Sequence, residues 1–168
     1  MGLRAYLIGQ TDMAYLKEEQ ILSHRISKNF EFSMGHTLNN YQGACHRLHG
    51  HNYQLEVMVK SEGLDKSGFV MDFGDLKDVV NGILDQEYDH YFLVDEKDSR
   101  AEKLKTLGAL TGPFEPTAEN LVISIATRIQ QGLRDLPDGM RGLLTGGLIV
   151  LEQVTLWETS TSKAVWME

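Results

Sequence analysis

The sequence predicts an α+β fold in the order strand, strand, helix, helix, strand, strand, and three patterns carry that prediction. Two early segments alternate apolar and polar residues with the period of half-buried strands. Two middle segments repeat apolar residues at helical spacing behind capping residues. The carboxy-terminal stretch LIVLEQVTLWETSTSKAVW returns to strand composition around a polar turn. With 168 residues, 42% of them apolar, and no repeat or Pro-rich linker, the chain suits one core of ordinary size. We expect a single domain over residues 1–168, with residues 1–24 as an N-terminal extension of it.

In the first strand Phe30, Phe32, Met34 and His36 alternate with Glu31, Ser33 and Gly35, so His36 ends on the apolar face. The second sets His49, His51, Tyr53, Leu55, Val57 and Val59 on one face against Asn52, Gln54, Glu56 and Lys60. Thr37 to Leu48 joins them as a long, polar, functional type of loop rather than a tight hairpin. Asp72 is placed to cap the first helix, with Asp75 in its first turn and Phe73, Leu76, Val79, Val80, Ile83 and Leu84 as its apolar stripe. Tyr88 to Glu115 reads as irregular and charged, with mobile parts expected. The second helix begins at Pro116-Thr117, turns Leu121, Val122, Ile125, Ala126, Ile129 and Leu133 inward, and stops near Asp135 to Gly139. Two last strands follow from Leu148, joined by the turn Thr159 to Ser162.

Charge and composition exclude several roles. A net charge of -8 with 16 scattered Lys and Arg residues argues against a nucleic-acid surface. Apolar runs such as Leu148 to Leu151 fall far short of the roughly 20 residues a bilayer span needs. The start MGLRAYLIGQTDM lacks the apolar core of a secretory signal, so a cytoplasmic protein without membrane contact is expected. One cysteine rules out an intramolecular disulfide and leaves Cys45 for packing, metal binding or catalysis.

The segment CHRLHGH, from Cys45 to His51, concentrates the chemistry. His49 and His51 at i and i+2 on a strand project from one face about 7 Å apart at Cα, close enough for both imidazoles to reach one ion. His36 can supply a third ligand from the preceding strand, and Gly50 lets the backbone pass close by. Three histidines with an open fourth position make the catalytic kind of zinc site. Packing as a small hydrophobe in a core suits Cys45 poorly, since its loop is polar, and two readings compete with it. Cys45 is either a fourth ligand of a closed structural site or, beside His46 and Arg47, a thiol of lowered pKa that acts as base or nucleophile. A lone thiol without a CxxC pair favours the second.

Carboxylates and a further histidine extend the set. Asp89-His90, in EYDHYFL, can form an oriented acid-base pair, or be a turn-capping Asp beside a surface His. Glu119 lies in the first turn of the second helix, where the dipole favours it, although a capping box from Thr117 would place the acid at position 120. Glu158 shares a strand face with Val154 and Leu156; it is either solvated or a buried-edge carboxylate suited to the guanidine-like edge of a heterocycle.

Taken in order, FEFSMGH, CHRLHGHNY, GFVMDFGDLK, YDHYFL, PTAEN and WET make the chain resemble the 6-pyruvoyl-tetrahydropterin synthase superfamily from about Phe30 onward, and more closely its 6-carboxy-5,6,7,8-tetrahydropterin synthase branch of queuosine biosynthesis. The resemblance implies zinc on His36, His49 and His51, proton transfer by Cys45, Asp89 and His90, and pterin anchoring by Glu158 with Glu119 and Thr117. It implies a tunnelling fold, four antiparallel strands with two helices on one face, assembled into a homo-oligomeric barrel (tetramer or hexamer) with interface active sites. The implied reaction takes 7,8-dihydroneopterin triphosphate to 6-carboxytetrahydropterin, acetaldehyde and triphosphate. Elimination of triphosphate without carbon-carbon cleavage, as in the pyruvoyl branch, is the alternative, and a non-catalytic zinc-binding module is a second. Three residues between Cys45 and His49 match the carboxy branch, and no glutamate lies between Thr37 and His51 to suggest a folate-pathway branch. Val94 departs from the Asn frequent after the family's Asp-His motif, and the segment from Val94 to Glu115 is longer than typical.

Overall fold

A computed structural model describes residues 23–137 and 148–168 of the chain. Nearly all of the expected extension, and Gly139 at the expected helix end, lie outside the described residues. The first two strands are as the alternation demands, but longer. β1 (His24–His36) begins at His24 rather than Phe30, and it pairs antiparallel with β2 (His49–Ser61) along its whole length. Their helix-facing residues Phe30, Phe32, Met34, Tyr53, Leu55, Val57 and Val59 are all buried. A fully buried aliphatic or aromatic side chain of this kind contributes about 1.5–3 kcal/mol.

α1 (Phe73–Glu87) is capped by Asp72, whose carboxylate accepts from the Gly74 amide at 2.6 Å. It buries Leu76, Val80 and Leu84. Phe73, assigned to the stripe by spacing, is instead 51% exposed. It occupies the first helical position, with the Lys28 ammonium 5.8 Å from its ring centre. α3 (Ala118–Asp135) starts at Thr117, whose hydroxyl accepts from the Asn120 amide at 3.3 Å, and all six of the residues expected inside are buried.

The segment between these helices is not irregular. It forms β3 (Phe92–Asp95), the one-turn helix α2 (Ala101–Lys105) and β4 (Leu110–Gly112). β3 is four residues long and buried on both sides, so it shows no alternation. Val94, fully buried, packs with Ala101 and Ala109 in a small satellite core, which explains an apolar residue at that position.

β5 (Val150–Thr159) and β6 (Ser162–Met167) complete a six-stranded sheet in the order β4-β3-β1-β2-β5-β6. The expected four antiparallel strands are its β1-β2-β5-β6 part, while β3 and β4 add a parallel edge beside β1. The architecture is thus α+β with a mixed sheet and three helices rather than a purely antiparallel sheet with two. Among the described residues, no helix is long and apolar enough to cross a membrane.

Candidate metal centre and the residues around it

Register brings the histidines together. His36 stands directly opposite His49 at the end of the β1–β2 ladder, and Met34 stands opposite His51. Directly opposed residues of an antiparallel pair have Cβ atoms about 4.5–5.5 Å apart. The rung between these two is a pair of glycines, Gly35 opposite Gly50. A Cβ on Gly50 would lie 2.9 Å from the Met34 carbonyl oxygen, and one on Gly35 would strike the Phe92 ring, so both strands close tightly here.

The three rings converge, with centroids 4.4 Å apart for His36–His49, 5.2 Å for His36–His51 and 5.1 Å for His49–His51. One ligand atom from each lies within 4.8 Å of the others, and Cys45 is not part of this group. All three Nε2 atoms are buried without a hydrogen-bond partner. The opposite nitrogens of two rings are fixed: Nδ1 of His36 donates to the Pro116 carbonyl at 2.6 Å and Nδ1 of His49 to the Arg47 carbonyl at 2.8 Å. A ring held through Nδ1–H presents its Nε2 lone pair, the arrangement by which metal-ligating histidines are oriented. Burial also pushes His36 and His51 below the usual imidazole pKa, which keeps them neutral. Orphaned, convergent, neutral nitrogens are costly unless an ion completes them, so the residues fit a divalent transition metal. Imidazole suits zinc, copper, iron and nickel alike, and the donor set by itself does not choose.

Glu158 faces this cluster. Its Oε1 is 3.6 Å from Nε2 of His36 and 3.8 Å from Nε2 of His51. It sits where the β5–β6 register shifts, between Trp157 and Thr159, and such irregularities re-aim side chains. No lysine or arginine pairs with it among the described residues. Beneath the histidines, Tyr53 is fully buried, stacked on Phe32 at 5.0 Å, with its ring 5.5 Å from that of His51. Its hydroxyl has no hydrogen-bond partner. Burial, and then the charges of Glu158 and Cys45, push it far above the ordinary phenol pKa, so it is a neutral donor.

Asp89 and His90 do touch. His90 Nδ1 lies 3.0 Å from Oδ2 of Asp89, whose Oδ1 accepts from the Ser33 amide at 2.8 Å. That backbone hydrogen bond, first of all, holds the Asp89 carboxyl below the usual carboxylate range. His90 has a left-handed backbone, φ 62°, and its side chain is 83% exposed. Among the described residues, no hydrogen bond joins His90 to Cys45. Thr117 uses its hydroxyl to cap α3, and Glu119 is exposed, without a hydrogen bond or ion pair among the described residues.

As site residues, Tyr53 and Pro116 escaped the reading of the sequence. Tyr53 was within reach, since it follows His51 by two residues on one strand face. Nothing local marks Pro116, whose partner His36 lies 80 positions away.

The chain belongs to the family described as 6-pyruvoyl tetrahydropterin synthase, which matches residues 25–168. It is 32% identical to the 6-carboxy-5,6,7,8-tetrahydropterin synthase of Haemophilus influenzae, over 86% of this chain and 99% of that protein. It is 35% identical to the protein of the same name from Aquifex aeolicus, over 85% of this chain and 97% of that one. In fold it is similar to the Caenorhabditis elegans 6-pyruvoyl tetrahydropterin synthase structure, with a TM-score of 0.62 and 23% identity over 88% of this chain and 96% of that chain.

Proposed function

We propose that this protein is a zinc-dependent 6-carboxy-5,6,7,8-tetrahydropterin synthase, converting 7,8-dihydroneopterin triphosphate with release of acetaldehyde and triphosphate. The observation that carries the reading is the triad of orphaned Nε2 atoms of His36, His49 and His51, faced by the Glu158 carboxylate. The names of the relatives at 32% and 35% identity support the carboxy branch.

In this reading the three histidines hold zinc, which supplies Lewis-acid stabilisation of charge on the substrate's side-chain oxygens. Cys45 takes and returns protons at that side chain. Asp89 orients His90 through Nδ1 and leaves its Nε2 for proton exchange. Glu158, unpaired by any cation among the described residues, accepts paired hydrogen bonds from the pterin's guanidine-like edge. Thr117 and Glu119 complete the pterin pocket from the start of α3. The outward-facing His90 suits a homo-oligomeric barrel, tetramer or hexamer, in which one subunit's Asp89-His90 pair serves the Cys45 of its neighbour. Edge strand β6, with Val165 44% and Met167 66% exposed, suits pairing into such a barrel.

The test is incubation of the zinc-loaded protein with 7,8-dihydroneopterin triphosphate and an assay for acetaldehyde. Equimolar acetaldehyde and 6-carboxy product are expected. Turnover without acetaldehyde would move the protein to the pyruvoyl branch, and no turnover of the pterin would remove the reading.

A further inference from the structure

The loop that carries Cys45 has little packing to hold it. From Asn40 to Leu48 every residue but Cys45 is exposed. Its order therefore rests on polar contacts. Within the loop, the Leu38 amide donates to the Cys45 carbonyl at 2.9 Å, and His46 Nδ1 donates to the Leu38 carbonyl at 2.9 Å. Two anchors come from distant chain: Glu115 accepts from the Asn40 amide at 3.0 Å and from its side-chain Nδ2 at 3.1 Å, and the segment between β3 and β4 holds the turn that bears Cys45. Arg100, at the start of α2, donates from Nη1 to the His46 carbonyl at 2.8 Å and from Nη2 to the Thr37 hydroxyl at 2.9 Å. Thr37 in turn donates to the same His46 carbonyl at 2.8 Å.

The guanidinium is itself fixed. Asp98, whose side chain is fully buried, accepts from its Nε at 2.9 Å and from Nη2 at 2.6 Å. The planar fork thus spans one carboxylate and two loop oxygens, which the single ammonium of a lysine cannot reproduce. Thr37 directly follows His36 and His46 directly follows Cys45, so Arg100 ties the strand end that bears a metal ligand to the turn that bears the thiol.

We propose that Arg100, braced by Asp98, is a positioning residue that fixes Cys45 relative to the histidine triad, and that this is the role of the β3–α2–β4 insertion. The inference rests on the reading of Cys45 as the proton-transfer group. A displacement of about 1 Å at such a group can lower turnover about 100-fold, and no hydrogen bond or ion pair joins Arg100 to His36, His49, His51 or Glu158.

The test uses the full-length zinc-loaded chain as wild type, Arg100→Ala, Arg100→Lys and Thr37→Val, the last removing one hydroxyl with little change of shape should loss of Arg100 prevent folding. Arg100→Ala is expected to lower kcat by about 10- to 100-fold with KM within about threefold of wild type. Zinc content should be unchanged, and amide exchange over residues 38–47 should accelerate severalfold. Arg100→Lys should stay near the alanine variant, and Thr37→Val should move the same way by less. Unchanged exchange in both Arg100→Ala and Thr37→Val would overturn the proposal, as would full rescue by lysine. If wild type itself does not turn over the pterin, the proposed function fails, while the exchange data still decide whether Arg100 holds the loop.

Discussion

The Pro116 carbonyl accepts a hydrogen bond from Nδ1 of His36 at 2.6 Å, joining the start of α3 to the innermost histidine of the candidate metal centre. His36 is 1% exposed, so this bond sets both its tautomer and its aim. It also means that the PTAEN segment touches the centre through backbone, at Pro116, as well as through whatever its side chains contribute.

Cys45 is not one of the three clustered ligands. Cys45→Ala is therefore expected to retain zinc at wild-type stoichiometry, measured by elemental analysis, while turnover falls about 100- to 10,000-fold, the span of a lost proton-transfer group. Loss of zinc in this variant would favour a closed structural site.

Glu158 approaches two Nε2 atoms at 3.6 and 3.8 Å, which admits either a pterin anchor or a fourth ligand. Glu158→Gln is expected to keep zinc and to lower kcat/KM about 10- to 100-fold, as removal of charged hydrogen bonds worth about 1.5–3 kcal/mol would do. Zinc titration of the variant separates the two roles, since a ligand role demands weaker binding.

Tyr53 keeps a buried hydroxyl without a partner, and such a group costs about 1–3 kcal/mol. Tyr53→Phe preserves the stack on Phe32 and should make the metal-free protein more stable by about 1 kcal/mol in urea unfolding. A less stable variant would show that the hydroxyl is satisfied in solution.

Asp98 supplies the pH dependence of the clamp. Its hydrogen bonds with Arg100, foremost, hold its carboxyl below the usual range. A depressed carboxylate stabilises the fold above its unfolded pKa of about 3.9, and that contribution is lost as pH falls through the lower folded value. The stability difference between wild type and Asp98→Asn should be constant above about pH 5 and shrink below about pH 4. A difference that grows on acidification would contradict the assignment.

Much of this could be read locally. The alternation of Phe30 to His36 and of His49 to Val59 named the strands and their inner faces, with His36 on the first and His49 and His51 on the second. The spacing from Leu121 to Leu133 named every buried position of α3. β3 and β4 escaped because strands of four and three residues, buried on both sides in β3, leave no period to detect.

By itself, the sequence determined which side chains share a face, because a strand's period of two and a helix's of 3.6 are properties of the backbone. Tertiary structure alone decided what lies opposite each face. The β1–β2 register sets His36 against His49, the shift in β5 turns Glu158 toward the triad, and the return of the chain after β3 lays Arg100 across the Cys45 loop. These contacts join residues separated by long stretches of chain, and no local periodicity encodes them.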